Sequence, residues 1–376
     1  MTDTQQTTTD DGQERLPVSV LTGFLGSGKT TLLKALLKHP DMDETAVVIN
    51  EFGEVGLDHL LVEQSSEDMV VMDSGCLCCT IRGDLIETLR NLIRRRWKGE
   101  IPPFKRLVIE TTGLADPAPI LHTLMTDPVI STRYRLDGVI TTVDAVNGAL
   151  QLDTNPESVK QAAVADRILL TKTDMMQGPN PDRLDERLRA LNPAARILAV
   201  SHGDVDPQVL FDAGLYDPAT KTPDVERWLK EEAYAEDHQG HHHHGHHHHG
   251  DHHHDGGHDH HHDVNRHDDQ IRSFCISYGK PIDWDAFVEW IEALISVHGG
   301  NLLRIKGILN VVQADGPVAI HGVQHVFHPP AVLPGWATDD HTSKIVMITR
   351  SISKQPVEEM LHAFLNASAQ DRETAS

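Results

Sequence analysis

Gly23-Phe24-Leu25-Gly26-Ser27-Gly28-Lys29-Thr30, near the N-terminus of the 376-residue chain, is the stretch that decides the fold. The apolar run at residues 18–21 predicts a buried strand before it, and the leucine-rich segment at residues 31–38 predicts a helix after it. Glycines without Cβ atoms let such a loop turn its backbone N–H groups toward phosphate oxygens at a helix N-terminus. The pattern predicts a nucleotide-binding P-loop.

The residue types in this loop suit separate parts of a nucleoside triphosphate. Lys29 is expected to reach the β- and γ-phosphates, and the Thr30 hydroxyl is expected to bind Mg²⁺. The predicted phosphate-binding set is Gly23, Gly26, Ser27, Gly28, Lys29, Thr30 and Thr31.

Apolar segments alternate with helical patterns through the first two hundred residues. The predicted strands are 18–21, 46–49, 107–109, 138–143, 167–171 and 196–200, and the predicted helices are 31–38, 84–95, 156–163 and 182–191. Such alternation is typical of right-handed βαβ units. We therefore expect an α/β P-loop NTPase fold with a mainly parallel sheet.

A low-complexity segment, 238–267, consists mainly of His, Gly and Asp and cannot build a core. Beyond it, strand patterns at 271–278, 302–312, 317–327 and 344–350 and helical patterns at 284–295 and 356–365 predict a small α+β domain. The predicted organisation is a disordered arm at 1–16, a P-loop GTPase domain at 17–225, a His-rich flexible linker at 226–270 and a C-terminal domain at 271–368.

The formal net charge of -23 disfavours nucleic acid and anionic membranes as partners, because no basic surplus is available to neutralise phosphates. The polar N-terminus has no apolar region of a secretory signal, and no apolar run approaches the length of about 20 residues that a membrane span needs. We therefore expect a cytoplasmic protein, in which clustered cysteines indicate a metal or chemistry more often than a disulfide.

A second group near the phosphates is expected at the end of a neighbouring strand. Glu110 closes an apolar run and could hold or orient the Mg²⁺ shell, or position the attacking water. Gly113 would let the following loop approach the γ-phosphate closely. Lys29, Thr30 and Glu110 are therefore the predicted catalytic residues.

Thr171-Lys172-Thr173-Asp174 resembles the N-K-x-D element that reads guanine in GTPases. Asp174 can accept hydrogen bonds from guanine N1–H and from the exocyclic amine, and the Lys172 stem can lie along the base. Thr171 replaces the usual asparagine, which weakens the prediction of guanine selectivity. The segment 201–204 follows the next strand, where a further loop on the base side would fall.

Three thiols lie within four positions in Gly75-Cys76-Leu77-Cys78-Cys79. Thiolates are soft ligands that suit Zn²⁺, and also Co²⁺ or Cu⁺. Cys76, Cys78 and Cys79 are therefore predicted to bind a transition metal with an open fourth position. Glu51 and Glu54, in the loop after the second predicted strand, are either solvated or part of the metal site.

Taken together, these motifs resemble the CobW family of P-loop GTPases. The resemblance rests on Gly23–Thr31, Asn50-Glu-Phe-Gly53, Gly75–Cys79, Glu110-Thr-Thr-Gly-Leu-Ala-Asp-Pro117 and Thr171–Asp174, and continues in Leu303–Leu309 and Gly322-Val-Gln324. Relatives often carry Glu directly before the Asn-Glu-Phe-Gly element. Ile49 stands there in this chain, so any metal role of that position is lost.

The resemblance implies a GTP-hydrolysing metallochaperone that binds GTP, Mg²⁺ and a transition metal, zinc or cobalt, and delivers the metal to a client metalloprotein. The histidine segment would collect metal and raise its local concentration at the thiolates. Three alternatives stay open: a cobalt chaperone for cobalamin synthesis or nitrile hydratase, a metal-storage protein with a regulatory nucleotide site, and a P-loop kinase or ATPase. The oligomeric state is not indicated.

Overall fold

The computed structural model describes residues 15–50, 69–71, 77–81, 84–176, 184–211, 271–336 and 339–375, with the backbone alone for 69–71, 77–81 and 369–375. The predicted arm at 1–16 and the predicted His-rich linker at 226–270 lie wholly or almost wholly outside these ranges. Within them, no helix is long and apolar enough to cross a membrane.

One sheet of eight strands forms the N-terminal half of the molecule. Its strands are β1 (Leu16–Gly23), β2 (Thr45–Asn50), β3 (Met69–Val71), β4 (Leu77–Ile81), β5 (Arg106–Thr111), β6 (Tyr134–Asp144), β7 (Arg167–Thr171) and β8 (Arg196–Ala199). They lie in the order β3-β4-β2-β5-β1-β6-β7-β8, and each neighbouring pair except β3 and β4 is parallel.

Helices cover this sheet: α1 (Lys29–Leu36), α2 (Leu85–Trp97), α3 (Ala118–Thr126), α4 (Ile130–Arg133), α5 (Gly148–Thr154), α6 (Pro156–Ala163), α7 (Leu184–Leu191) and α8 (Pro207–Leu210). Separate apolar clusters pack against the sheet, as expected for parallel strands that are buried on both faces. The predicted α/β architecture is confirmed. Parallel strands bring all their carboxyl ends to one edge, where the P-loop lies.

The second sheet is antiparallel. Its strands are β9 (Ile271–Tyr278), β10 (Leu302–Leu309), β11 (Val318–Val323), β12 (Val326–Phe327), β13 (Ala331–Val332) and β14 (Ser343–Arg350), and the long helices are α9 (Trp284–His298) and α10 (Lys354–Ala375). The strand order is β12-β11-β10-β14-β9, and β13 pairs with β11. The buried faces of both helices share an apolar cluster with this sheet, which gives the predicted α+β domain its core.

The single strand predicted at 317–327 is wrong, because the chain turns back between β11 and β12. Gln324 adopts a left-handed conformation with φ 53°, and Phe327 then pairs with Gly322. A left-handed residue at a two-residue turn is usually Gly, Asn or Asp. Gln324 therefore gave no turn signal in the sequence.

Apolar side chains join the two halves of the molecule. Val323 and Val326 belong to the cluster that packs on one face of the parallel sheet. Leu303 and Ile348 belong to a cluster with α6 and α7. The contact is continuous with the core of the first sheet.

A buried carboxylate lies in the middle of this contact. Asp166, just before β7, accepts hydrogen bonds from the backbone N–H of Val139 at 2.9 Å and from Lys306 Nζ at 2.8 Å. Arg304 also bonds Asp166 and the Val164 carbonyl. Asp166, Arg304 and Lys306 are each at most 8% exposed. One acidic group of the first half therefore binds two cations of the second.

Charge and burial oppose each other in this cluster. Burial raises the pKa of Asp166, but the charges of Arg304 and Lys306 outweigh it and lower the pKa to about 2. Burial, reinforced by Arg304, lowers the pKa of Lys306 to about 8. Asp166 is therefore ionised at neutral pH and compensates the cations beside it.

Two histidines lie next to these cations. Burial, followed by the charge of Arg304, lowers the pKa of His321 well below its usual value. Burial, followed by the charge of Arg15, lowers the pKa of His328 to about 4. Their rings meet edge to face, with centroids 5.5 Å apart. Both histidines are neutral in the folded protein near neutral pH.

Arg304→Gln should lower the free energy of unfolding by about 3–5 kcal/mol, because removing one partner of a buried ion pair leaves the other charge poorly compensated. Denaturant unfolding at pH 7.5 would measure the loss. Arg272→Gln, an exposed arginine on β9, is the matched control and should change stability by less than about 0.5 kcal/mol. Equal losses in the two variants would contradict a role for the Asp166 cluster.

Stability should fall as the pH falls from about 6.5 to about 4. In this window the unfolded chain takes up protons on His321 and His328 while the folded protein does not, so acid favours unfolding. Unfolding midpoints across this range should decline less steeply for His328→Gln than for the wild type. The exposed His362→Gln should keep the wild-type slope, and a wild-type slope in His328→Gln would refute the assignment.

Candidate nucleotide site

The phosphate loop connects strand β1 to helix α1. Gly23 ends β1, and Lys29, Thr30 and Thr31 form the first turn of α1. Gly28 caps this helix with φ 93°, a left-handed conformation that residues with a side chain rarely adopt. Gly26 and Ser27 lie between, and the Ser27 hydroxyl hydrogen-bonds Thr142 on β6 at 2.7 Å.

The predicted catalytic residues lie together. Lys29 Nζ donates to the carbonyls of Gly23 at 2.8 Å and Phe24 at 3.2 Å, which places the ammonium group inside the loop. The Thr30 hydroxyl donates to Glu110 Oε1 at 3.3 Å. Glu110 is 5% exposed on β5, opposite Leu21 of β1. A hydroxyl and a carboxylate are hard oxygen ligands of the kind that Mg²⁺ prefers.

Gly113 lies directly against the phosphate loop. A Cβ atom at this position would come within 2.8 Å of the Leu25 backbone, so a side chain would force the two loops apart. Gln161 of α6 fixes this segment by donating to the carbonyls of Gly113 at 3.2 Å and Ala115 at 2.9 Å. The loop after Glu110 is therefore held by both the P-loop and α6.

Lys172 follows β7 in a left-handed conformation with φ 57°. Its ammonium group donates to Asp144 Oδ2, at the end of β6, over 2.6 Å. Burial raises the pKa of Asp144, but the hydrogen bonds from Lys172, Asn147 and the backbone outweigh it and leave the pKa below its usual value. The ion pair fixes the direction in which the Lys172 stem runs.

Asp174 faces the segment that follows β8. Its Oδ1 accepts from the Ser201 hydroxyl at 3.0 Å, and its Oδ2 lies 3.5 Å from His202 Nε2. The Asp174 side chain is 31% exposed, which leaves the carboxylate accessible. The segment 201–204 thus lies where a loop on the base side was expected.

Thr171 connects this side of the site to the phosphate loop. Its hydroxyl lies 2.7 Å from the Ser27 carbonyl and 3.2 Å from the Val143 carbonyl. The residue that replaces the usual asparagine therefore orders the backbone of the P-loop. This contact was not predicted from the sequence.

The predicted metal ligands lie largely outside the described part of the chain. Glu51, Glu54 and Cys76 fall in undescribed segments, and Thr30 is the one proposed ligand with a described side chain. The backbone of Cys78 and Cys79 belongs to β4, opposite Val47 and Val48 of β2. Among the residues that the structure describes, no group of three or more His, Cys, Asp or Glu side chains is arranged to hold a metal.

Asp144 is a site residue that the sequence reasoning missed. It follows the predicted strand at 138–143 directly, so it carries the same signal that drew attention to Glu110. The contact with Lys172 spans 28 residues, and only the parallel pairing of β6 with β7 brings the two strand ends together.

Two family models match the chain. The CobW/HypB/UreG nucleotide-binding domain matches residues 17–199, and the cobalamin synthesis protein CobW C-terminal domain matches residues 271–365. The two matches flank the predicted histidine segment.

Curated relatives extend over nearly the whole chain. Zinc chaperone YjiA of Escherichia coli is 33% identical over 93% of this chain and 98% of its own length. Zinc chaperone CobW of Sinorhizobium is 27% identical over 81% of this chain and 84% of its own. These relatives are named as zinc chaperones, and the YjiA crystal structure is named as that of a GTPase. The expected class, a GTPase metallochaperone, is therefore confirmed.

The crystal structure of Zn(II)-bound YjiA GTPase from E. coli superimposes with a TM-score of 0.69 at 31% identity, covering 94% of this chain and 99% of that one. A Zn(II)-bound YjiA variant with one Glu and two Cys replaced by Ala gives the same TM-score at 30% identity. Sequence, both family models and the full-length structural match agree: this chain belongs to the CobW/HypB/UreG family and carries the CobW C-terminal domain.

Proposed function

We propose that the chain is a GTPase that binds Zn²⁺ through Cys76, Cys78 and Cys79 and delivers it to a client protein in the cytoplasm, with GTP hydrolysis timing the transfer. The observation that carries the proposal is the strand order β4-β2-β5-β1. It places the strand of Cys78 and Cys79 two strand spacings, about 10 Å, from the strand of Glu110. The zinc chaperones among the relatives favour zinc over cobalt.

Backbone hydrogen bonds join the two predicted sites. Cys78 lies opposite Val47 of β2, and Ile49 of the same strand lies opposite Glu110 of β5. The chain then continues from β2 into the segment that contains Glu51 and Glu54. A shift of Glu110 or of β2 on loss of the γ-phosphate would therefore act on the strand that carries two of the predicted thiolates.

The residues of the nucleotide site have complementary roles in hydrolysis. Mg²⁺, held by Thr30 and oriented by Glu110, would neutralise charge on the β- and γ-phosphate oxygens. Lys29 would exchange its bonds to loop carbonyls for bonds to phosphate oxygens. Thr171 keeps the Ser27 carbonyl in place, and Asp174 would accept from two guanine donors.

Zinc binding needs deprotonated thiols, so its affinity depends on pH. Because β5 and β2 connect the nucleotide site to the strand of Cys78 and Cys79, zinc affinity is also expected to differ between the GTP and GDP states. The predicted domains, with the histidine segment between them, suit this role: the histidines would collect zinc and supply it to the thiolates at high local concentration. A storage protein with a regulatory nucleotide site would bind zinc equally in all nucleotide states.

Zn²⁺ should bind more tightly in the presence of a non-hydrolysable GTP analogue than in the presence of GDP, and Cys78→Ala should remove that difference. Chelator competition would measure both affinities and their ratio. Cys275→Ala, which removes a buried thiol on β9 of the other sheet, is the matched control and should keep the wild-type ratio. A YjiA variant in which two cysteines are replaced is still Zn(II)-bound. The ratio of zinc affinities in the two nucleotide states is therefore a better measurement than the total zinc content. Equal zinc affinity in every nucleotide state of the wild type would refute the coupling.

Asp174→Asn should weaken GTP binding at least about tenfold, because each lost hydrogen bond to a charged group costs about 1.5–3 kcal/mol. Xanthosine triphosphate should bind the variant better than GTP does, since the asparagine amide can donate to the xanthine carbonyl. Titration with both nucleotides would test this exchange. Thr171→Val removes a contact to the phosphate loop and should weaken both nucleotides alike. An unchanged preference for GTP in Asp174→Asn would exclude Asp174 as the guanine reader.

A further inference from the structure

A cavity lies at the edge of the parallel sheet opposite to the nucleotide site. It has a volume of about 510 Å³ and is bordered by the amino ends of β1, β5 and β6 and by the end of α2. The phosphate loop follows the carboxyl end of β1, so the whole length of the strand separates this cavity from the nucleotide site. Its residues have no part in the proposed function.

The cavity concentrates positive charge in a strongly acidic protein. Six of its fourteen lining residues are cationic, namely Arg15, Arg96, Lys105, Arg106, Arg133 and Arg135. Asp137 is the one acidic residue among them. Glu44 lies 3.5 Å from Lys105, but both side chains are 54% exposed, so water screens that pair. A cationic concavity on a chain of net charge -23 attracts anions locally despite the overall repulsion.

Three of the guanidinium groups are held in place by aromatic rings. Arg133 lies over Trp97 at 4.4 Å, Arg106 over Phe211 at 5.1 Å, and Arg96 over Phe104 at 5.4 Å. Stacking fixes the plane of a guanidinium group while its N–H edge can still donate. Little side-chain entropy would then be lost when an anion binds.

Arg135 and Asp137 are largely buried lining residues of the cavity. Arg135 Nη1 lies 4.0 Å from Asp137 Oδ1, and the Asp137 side chain, 2% exposed, accepts from the Ser19 hydroxyl at 2.9 Å. Among the lining residues the positive charges outnumber the single carboxylate, so the cations repel one another at a partly buried site. A bound polyanion would relieve that repulsion.

We propose that this cavity binds a small organic polyanion that carries at least two phosphate groups. Guanidinium groups bind phosphate oxygens in pairs, which suits several arginines around one cavity. The volume is within the range of about 300–1,000 Å³ that is typical of small-molecule sites, and a single orthophosphate would fill little of it.

A neighbouring apolar cavity of about 260 Å³ indicates the rest of the ligand. It shares Ile93, Trp97 and Arg133 with the cationic cavity, and Leu89, Ile130 and Tyr134 add an apolar lining. The shared wall places an apolar surface beside the cations. A phosphorylated molecule with an apolar or aromatic portion fits both cavities better than an inorganic anion does.

Inorganic tripolyphosphate is a suitable probe for the phosphate-binding part of the site. Calorimetric titration would use the full-length, metal-free Lys29→Ala chain. This substitution removes the lysine of the phosphate loop, so that loop should not contribute to tripolyphosphate binding. Saturable binding is expected, with orthophosphate at least tenfold weaker. Arg106→Gln with Arg135→Gln should weaken tripolyphosphate binding at least tenfold. Arg189→Gln with Arg272→Gln removes the same charge from exposed positions outside the cavity and should leave the affinity unchanged.

A second measurement separates binding from folding. Tripolyphosphate should raise the thermal unfolding midpoint of the Lys29→Ala chain, and Arg106→Lys with Arg135→Lys should keep only part of that rise, because the charges remain but the paired N–H donors of the guanidinium groups are lost. Equal losses in the two Arg→Gln pairs, or absence of saturable binding, would overturn the proposal. Tighter binding of a polyglutamate peptide than of tripolyphosphate would also overturn it, in favour of an acidic protein partner.

Discussion

The buried carboxylate of Asp166 is the interaction on which the arrangement of the two halves depends. Asp166 lies at the start of β7. Its carboxylate accepts from the Val139 N–H group of β6 and binds Arg304 and Lys306 of β10. The same strand β7 ends at Thr171, which contacts the phosphate loop, and the chain continues to Asp174. The C-terminal domain is therefore anchored at one end of a strand whose other end serves the nucleotide site.

Local patterns were sufficient to predict six of the eight strands of the first sheet, because apolar runs and leucine spacing are properties of short windows. They also singled out Lys29, Thr30, Glu110 and Asp174, whose chemistry is tied to strand or helix ends. They did not predict β3 or β4, the strand of Cys78 and Cys79. The ion cluster could not be predicted this way, since Asp166 and Arg304 are 138 positions apart and nothing near either residue indicates the other. The turn at Gln324 and the contact of Thr171 with the Ser27 carbonyl were not predicted for a related reason. Each depends on the position of the backbone rather than on the residue type.

Charge is distributed unevenly over the first sheet. Its carboxyl edge carries Glu110, Asp144 and Asp174, each of which is held by a hydroxyl or an ammonium group. Its amino edge carries the cationic cavity. A ligand at either edge would meet an environment that is already ordered by hydrogen bonds or ring stacking, so recognition at both edges rests on residues fixed before the ligand arrives.

The close contact of Gly113 with Leu25 limits how the loops around the nucleotide can move. No side chain separates the two backbones, so the contact has almost no slack. A displacement of the phosphate loop by a few tenths of an ångström would pass to the end of β5 instead of being absorbed. The registers of β5 with β2 and of β2 with β4 then lead to the strand of Cys78 and Cys79. The absence of a Cβ atom at Gly113 would therefore limit how far the phosphate loop can move without moving β5, the strand that leads through β2 to the proposed thiolate site.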